Sequence, residues 1–258
     1  MLTAERRQRI LEEVETRNSV SVTELCHLLR VSDMTIRRDL RALSDKGMLE
    51  RVHGGALARR DRTNELPYLI RSTENIQQKR IIGQRAAEYI HDGDSIALDI
   101  GTTTLELAKA MVGIRNLTVL TANLLVAEVL KDAPNIRLVI SGGELRFEEF
   151  SLVGPFAQRT FKEFRIDKAF ASAGGMDLKK GLTDYNHQDI QVKQALVTHA
   201  NQVIALVDSS KFGVAYEHVF APLSMVDYLI TDEDAPLEGL NQLTLDGIEV
   251  IVAERERV

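Results

Sequence analysis

Short apolar runs alternate with helical segments along the last two thirds of this 258-residue chain, and this alternation constrains the fold more than any other feature. Strands that alternate with helices form a layered, parallel α/β sheet. Residues 75–258 are therefore predicted to form an α/β domain whose ligands bind beyond the carboxyl ends of the strands. The predicted strands are residues 95–100, 117–120, 136–140, 168–172, 203–207, 228–231 and 249–252.

The end of the first run predicts an anion site. Asp99 is followed by Gly101 and by Thr102, Thr103 and Thr104 at the start of a helix. The N–H groups of a helix start, together with the helix dipole, attract negative charge, and phosphate is the expected guest. Neither a P-loop motif nor a dinucleotide-binding glycine motif is present in the sequence, which disfavours a nucleotide.

Other predicted strand ends carry further polar residues. Thr121 and Asn123 repeat the arrangement after the next strand, and Asp177 lies in a glycine-rich loop after the 168–172 strand. Lys193 and Lys211 can supply positive charge to a phosphate. We expect all five residues to contribute to one effector site.

Residues 1–57 have a different pattern, which predicts a small winged helix-turn-helix domain. Three helices are expected, the second beginning with a capping box at residues 21–24 and the third with Ser32 as its N-cap. Ile36, Leu40 and Leu43 form the apolar seam of the third helix, while Met34 points away from it. Residues 48–57 alternate like a β-hairpin and would form the wing.

The exposed face of the third helix predicts contact with DNA, because the second helix of a helix-turn-helix enters the major groove. We expect Arg38, with Thr35 or Arg37, to contact base edges. The remaining candidates would hold phosphates or extend from the wing, and they are Arg41, Lys46, Arg51 and His53.

The charge distribution agrees with a basic module joined to an acidic body. The net charge is −6, but residues 1–63 hold 13 Lys and Arg against 10 Asp and Glu. Residues 58–74 have no clear period and are predicted to be a linker. One cysteine excludes an intrachain disulfide, and no apolar run is long enough for a membrane span. We expect a cytoplasmic protein without a cofactor or metal.

Two segments of the N-terminal domain resemble the signature of the DeoR family of bacterial transcription regulators. They are VSDMTIRRDL at residues 31–40 and LERVHGGA at residues 49–56. The strand-end motifs of the second domain are similar to those of the family's effector domain, which itself resembles ribose-5-phosphate isomerase. The matching positions are Asp99, Thr102, Thr103, Thr104, Asn123, Asp177, Lys193 and Lys211.

The resemblance implies a repressor of a carbohydrate-utilisation operon, released from double-stranded operator DNA by a phosphorylated sugar. The protein is expected to be a homo-oligomer, dimer or tetramer, because one recognition helix covers only a few base pairs. One departure concerns the acidic run that many members carry before the lysine. Here it is replaced by HQDIQVK at residues 187–193, which predicts altered sugar specificity.

An isomerase that carries a DNA-binding domain is the alternative. Asp177, His187 and Asp189 are the available general bases near the matching loops. The isomerase loop has two acids, and the first is replaced here by an apolar residue. We therefore expect binding without turnover and no catalytic residue. A metal site at His187 and Asp189 is less favoured than a solvated loop.

Overall fold

The computed structural model describes residues 3–17, 19–46, 48–52, 54–57, 68–147 and 149–255. The chain divides into two compact units, Met1–Leu66 and Pro67–Val258. None of the helices in the described ranges is both long and apolar enough to cross a membrane. Within the same ranges, no cluster of His, Cys, Asp and Glu has the arrangement of a metal site.

The first unit is a three-helix domain with a small antiparallel sheet. Its elements in chain order are α1 (Thr3–Arg17), β1 (Ser19–Ser21), α2 (Val22–Leu29), α3 (Asp33–Asp45), β2 (Glu50–Val52) and β3 (Gly55–Leu57). The sheet order is β1-β3-β2. The hairpin of β2 and β3 is the predicted wing, whereas β1 was not predicted.

Both predicted helix caps of this unit are confirmed. Ser21 accepts from the N–H of Glu24, whose carboxylate accepts from the Ser21 N–H, so the capping box is complete. Ser32 caps α3 by accepting from the N–H of Thr35. Between the helices, Arg30 has a φ of 53°, in the left-handed region, and makes the tight turn.

The second unit is built on a seven-stranded sheet in which every neighbouring pair is parallel. Its strands are β4 (Ser95–Leu98), β5 (Leu117–Thr121), β6 (Ile136–Ile140), β9 (Ile166–Ser172), β12 (Ala200–Leu206), β14 (Tyr228–Asp232) and β15 (Glu249–Ala253). These are the seven strands that the sequence predicts, with shifts of at most a few residues at their ends. The fold class is thus confirmed.

Helices cover both faces of this sheet. They are α4 (Tyr68–Arg71), α5 (Ile76–Ala87), α6 (Thr102–Ala110), α7 (Leu124–Leu130), α8 (Pro155–Glu163), α9 (His187–Thr198) and α10 (Leu237–Leu245). Side chains of α5, α6 and α7 share one apolar core, and those of α8, α9 and α10 share the other. Successive residues of β4 point to opposite cores, so Ile96 and Leu98 lie in the first and Ala97 in the second.

Two smaller sheets lie outside the parallel one. A hairpin of β7 (Glu144–Arg146) and β8 (Ser151–Val153) is one of them, and the other consists of β10 (Gly175–Asp177), β11 (Gly181–Asp184) and β13 (His218–Ala221). Short 3₁₀ turns at Ser209–Lys211 and Leu223–Met225 complete the unit. The glycine-rich loop predicted around Asp177 contains β10.

The second unit begins before the predicted boundary at residue 75. Residues 68–74 were assigned to the linker, but Tyr68 is buried and its hydroxyl donates to the carbonyl of Gly101 at 3.3 Å. The ring also meets Phe150 edge to face. Apolar burial and this hydrogen bond hold the segment on the domain. Residues 58–67 lie outside the described ranges.

Candidate functional site

The strand order places a crevice at one point of the parallel sheet. From β4 the chain moves outward through β5 and β6, then returns so that β9 lies on the other side of β4. Connections leave the carboxyl ends of β4 and β9 in opposite directions, and such a switch point is where open α/β sheets bind ligands. A cleft opens there, lined by residues that follow both strands.

The floor of the cleft is a buried ion-pair cluster. Lys193 Nζ lies 2.6 Å from Asp99 Oδ2 and 2.9 Å from Asp184 Oδ2, and it donates to the carbonyl of Ser172. Burial by itself would lower the pKa of Lys193, but Asp184 and Asp99 outweigh burial and hold that pKa above its ordinary value. Lys193 is therefore a permanently charged ammonium that two carboxylates already neutralise.

The start of α6 forms one wall. Its N-cap, Gly101, makes no side-chain cap, so the first N–H groups of the helix remain available to a ligand. Thr102 and Thr103 line the cleft there. A Cβ on Gly101 would lie 1.8 Å from Ser172 Oγ, so only glycine allows this close approach of the two strand ends.

Two lysines of the cleft form no close ion pair in the described part of the chain, although Glu74 acts electrostatically on both of them and Asp208 acts on Lys79. Lys79 and Lys211 both line it, and in the described part of the chain neither ammonium has a carboxylate oxygen within 4.0 Å. Lys79 is buried and donates to the carbonyl of Arg71 at 2.5 Å. Burial, and to a lesser extent the nearby Lys211, lower the pKa of Lys79 to about 8. Arg71, also in the wall, pairs with Glu149.

A capped turn fixes the position of Lys211. Asp208 begins the turn and accepts from the N–H of Ser210, while Asp232 accepts from the N–H of Ser209 at 2.7 Å. Asn75 donates to Ser210 Oγ at 3.1 Å. Lys211 is thus held at the cleft by backbone contacts rather than by an ion pair.

Sequence analysis missed Lys79, Arg71, Asp184 and Tyr185, which also line the cleft. A usable signal existed for Lys79. It lies on the buried stripe of α5 with Ile82, Gly83 and Ala86, so a lysine occupies a core position of an amphipathic helix. Arg71 was missed because its segment was assigned to the linker.

The predicted effector residues separate into three groups. Gly101, Thr102, Thr103, Lys193 and Lys211 line the cleft, and Asp99 lies beneath it. Three others hold the strand ends in shape. Thr104 donates to the carbonyls of Asp99 and Gly101, Thr121 donates to the carbonyl of Leu98, and Asn123 caps α7.

Asp177 lies elsewhere, contrary to the expectation for it. Its carboxylate accepts from the N–H groups of Lys179 and Lys180, which lower its pKa and close its own turn. It borders a separate groove with Phe212 and Pro236. The glycine-rich loop therefore turns this carboxylate away from the cleft.

None of the three candidate general bases lies in the cleft. Asp177 is in the other groove, Asp189 is buried against Arg146 and Ser151, and the His187 ring lies tilted against that of His218. The acids that do reach the cleft floor, Asp99 and Asp184, are tied to Lys193. The departure at residues 187–193 likewise leaves Asp189 outside the cleft wall.

In the first unit, α3 presents the predicted face to solvent. Ile36, Leu40 and Leu43 are buried, whereas Arg38 and Arg41 are exposed and Thr35 is half-buried. Lys46 ends the helix exposed, and Arg51 is exposed on the wing. His53 lies outside the described residues. On α2, Leu25 and Leu29 are buried, whereas Leu28 is exposed.

Arg37 differs from its neighbours on this face. Its guanidinium pairs with Asp33 one turn earlier, with Nε to Oδ1 at 2.5 Å and Nη2 to Oδ2 at 3.1 Å. Arg38 has no carboxylate within 4.0 Å in the described ranges. Arg38 is therefore the better placed of the two to contact a base.

A buried carboxylate locks α3 to α1. Asp39 is 1% exposed and accepts from Arg6 Nε at 2.6 Å and Arg7 Nε at 2.8 Å. Sequence analysis grouped Asp39 with the recognition motif without a role. The burial of Asp39 was not predicted, because charged residues are rarely buried in proteins.

Both units match known protein families. Residues 6–62 match the "DeoR-like helix-turn-helix domain", and residues 74–233 match the "DeoR C terminal sensor domain". Among solved structures, a D-ribose-5-phosphate isomerase in complex with phospho-erythronic acid is 18% identical and covers 55% of each chain, with a TM-score of 0.42.

Curated relatives match over nearly the whole chain. The HTH-type transcriptional regulator GolR of Listeria innocua is 34% identical, covering 98% of this chain and 100% of its own. The glycerol-3-phosphate regulon repressor of Escherichia coli K12 is 32% identical, covering 97% and 99%. The putative aga operon repressor of Escherichia coli O157:H7 is also 32% identical, covering 97% and 94%. With a DNA-binding helix, a sensor domain and relatives named as regulators rather than enzymes, this chain belongs to the DeoR family of transcriptional regulators.

Proposed function

We propose that this protein represses a carbohydrate-utilisation operon and leaves its operator when a phosphorylated sugar binds the cleft at the β4–β9 switch point. Operator DNA would be contacted by the exposed face of α3. The protein would act in the cytoplasm, without a cofactor. One observation carries the ligand class: the unpaired ammonium groups of Lys79 and Lys211 share a cleft with an uncapped helix start.

A phosphate fits these groups for electrostatic reasons. A buried ammonium next to another cation is unfavourable by itself, which is why the pKa of Lys79 is lowered. A dianionic phosphate would neutralise both lysines and accept from the N–H groups of Thr102 and Thr103. The paired Lys193 would contribute less, because Asp99 and Asp184 already satisfy it.

The rest of the cleft suits a polyhydroxyl compound. Asp184 lines it, and a carboxylate has about four acceptor positions, of which Lys193 and the N–H of Tyr185 occupy two. Sugar hydroxyls can donate to the remainder. The names of two relatives, repressors of a glycerol-3-phosphate regulon and of an aga operon, support a ligand from sugar or polyol metabolism.

Release from DNA requires more than one copy of the chain. A single recognition helix covers too few base pairs for useful specificity, so we propose a homodimer or tetramer on repeated half-sites. The sugar phosphate would favour an arrangement of the copies whose recognition helices no longer match the half-site spacing.

A gel shift on DNA from upstream of the protein's own gene, titrated with a panel of sugar phosphates, tests this proposal. One or more compounds should reverse a sequence-specific shift. Lys211→Ala should bind the same DNA with unchanged affinity and lose the response, because it removes one of the two free cations. Lys180→Ala, an exposed lysine outside the cleft, is the matched control and should respond normally. A specific shift that no phosphorylated compound reverses would contradict the proposed release.

A further inference from the structure

The cleft has an aromatic wall that phosphate binding leaves unused. Tyr185 lines the cleft and is half-buried. Its ring stacks on Tyr216, with centroids 3.8 Å apart and planes inclined by 37°. One face of Tyr185 is therefore covered by another ring, and the side chain cannot swing away without losing that contact.

Backbone contacts hold both tyrosines in place. The N–H of Tyr185 donates to Asp184 Oδ1 at 3.0 Å, and the N–H of Tyr216 donates to Thr183 Oγ1 at 3.0 Å. Gly174 lies beside one edge of the ring, where a Cβ would come within 2.7 Å of Tyr185 Cε2 and 3.2 Å of Cδ2. The wall is thus built in advance of any ligand.

The wall adjoins a hydroxyl acceptor. Asp184, the residue before Tyr185, presents its carboxylate to the same cleft. An aromatic face carries partial negative charge and attracts the C–H groups of a flat apolar surface, while the adjacent carboxylate accepts hydroxyl protons. A closed sugar ring has both surfaces, because its C–H bonds line its faces and its hydroxyls line its edge.

We propose that Tyr185, braced by Tyr216, makes the cleft selective for ring-closed sugar phosphates over open-chain polyol phosphates. This inference rests on the proposed function, because it assigns the sugar end of the same ligand. A ring brings its C–H groups to the wall already ordered, whereas an open chain must first fix several torsions. Open-chain phosphates would keep the contacts to Lys79 and Lys211 and lose the contact with the ring of Tyr185.

Reduced and unreduced partners of one sugar phosphate separate these contributions. The probes are the 6-phosphates of glucose, galactose and mannose, the three hexitol 6-phosphates made from them by borohydride reduction, and orthophosphate. Each pair has the same phosphate and differs by two hydrogens and the ring. Calorimetric titration of the full-length protein at constant pH and ionic strength gives the Kd of each.

The wild type should bind at least one ring-closed compound about 3- to 10-fold more tightly than its hexitol, as expected for one aromatic contact. Tyr185→Leu keeps an apolar side chain of similar reach and should abolish that ratio while leaving hexitol affinity within twofold. Tyr185→Phe should retain it. Thermal midpoints of the variants confirm that all are folded.

Equal affinity for all sugar–hexitol pairs, or an unchanged ratio in Tyr185→Leu, would overturn this inference and leave the phosphate site standing. Failure of every phosphate to bind, orthophosphate included, would overturn the proposed function as well. The orthophosphate titration therefore distinguishes the two failures.

Discussion

Lys193 matches the family's motif, yet Lys79 and Lys211 are the lysines of the proposed phosphate site. Lys193 is buried between Asp99 and Asp184, and these two carboxylates neutralise its charge. Lys79 and Lys211 have no such partners in the described ranges. The cleft therefore combines an ion-paired lysine in its floor with two lysines in its wall that we propose bind the phosphate.

Lys193→Met tests the structural role. Removal of one member of a buried ion pair leaves uncompensated charge, here the carboxylates of Asp99 and Asp184, and typically costs about 3–5 kcal/mol. We expect a loss of that size in the free energy of unfolding of the second unit, measured by urea denaturation. Lys131→Met, at an exposed pair with Glu128, is the control and should unfold like the wild type. A Lys193→Met protein as stable as this control would show that the cluster is not structural.

Lys79 predicts a pH dependence of ligand binding. Its pKa of about 8 in the free protein must rise when a phosphate dianion binds, because the anion stabilises the ammonium. Below pH 8 the lysine is already charged, so it adds no pH dependence there. Above pH 8 it must take up a proton, so affinity should fall, by up to about tenfold per pH unit.

Titrations between pH 7.5 and 9.5, where a sugar phosphate stays dianionic, check this expectation. Repeating them in buffers of different ionisation enthalpy gives the proton uptake directly. Lys79→Met should bind more weakly at pH 7.5 and lose most of the pH dependence. An unchanged slope in Lys79→Met would mean that another group titrates.

For single residues, the sequence predicts which polar residues follow the strands better than it predicts where their side chains point. Most of the polar strand ends lie at one edge of the sheet, as expected, because chain order and sheet order bring them there. Asp177 was wrong because its direction depends on the turn that its own carboxylate closes. The buried stripe of α5 marks Lys79 as unusual, but no local pattern shows that α5 and Tyr185, the residue after β11, meet at the cleft.

Among the elements, the orientation of α3 depends on its apolar seam and on the ion pairs that Asp39 makes with Arg6 and Arg7, which together form a charge clamp. Asp39 binds Arg6 and Arg7 of α1 from the side of α3 adjoining the core. The two arginines are partly exposed, so they regain water if the carboxylate is lost. The clamp thus fixes the angle of the recognition helix more than it stabilises the core.

Asp39→Ala should lower the stability of the first unit by about 1–3 kcal/mol, as for other buried hydrogen-bonded charges. It should also weaken DNA binding, because α3 loses its fixed orientation. Thermal unfolding measures the loss of stability. Fluorescence anisotropy with labelled operator DNA measures the loss of affinity in a separate experiment. Asp45→Ala, at the exposed end of the same helix, should change neither. Full operator affinity in Asp39→Ala would contradict the positioning role.

Arg38 and Arg37 give a matched pair for DNA contact. Arg38→Ala should lower operator affinity by about 1–3 kcal/mol and relax base preference at one position. Arg37→Ala should have a smaller effect, because Asp33 already holds that guanidinium. Selection of bound sequences from random DNA, followed by Kd measurements, gives both quantities. The reverse order of effects would show that Arg37 leaves Asp33 to contact the DNA.

Elements that contain a clear apolar run or a capping residue were predictable from the sequence, and most of the shortest strands were not. The seven strands of the parallel sheet follow from their apolar runs, and both caps in the first unit follow from their serines. The three-residue strands β2 and β3 were predicted because together they form one alternating hairpin segment, residues 48–57. The other three-residue strands, such as β1, β7 and β10, contain too little pattern to detect. Tertiary pairing forms them.

In the molecule as a whole, the proposed release requires energetic coupling between α3 and the cleft. Such coupling is reciprocal: if the sugar phosphate lowers operator affinity by some factor, the operator lowers sugar phosphate affinity by the same factor. Couplings of this kind are typically about 5- to 150-fold. If the two sites were independent, neither ligand would change the affinity for the other.

The most direct test is to measure both sides of that cycle. Operator Kd is determined by anisotropy with and without saturating sugar phosphate, and sugar phosphate Kd by calorimetry with and without saturating operator, all with the effector found by gel shift. We predict equal factors of at least fivefold in the wild type and a factor near one in Lys211→Ala. A sugar phosphate that binds the wild type with the same affinity whether or not operator is present would contradict the proposed release.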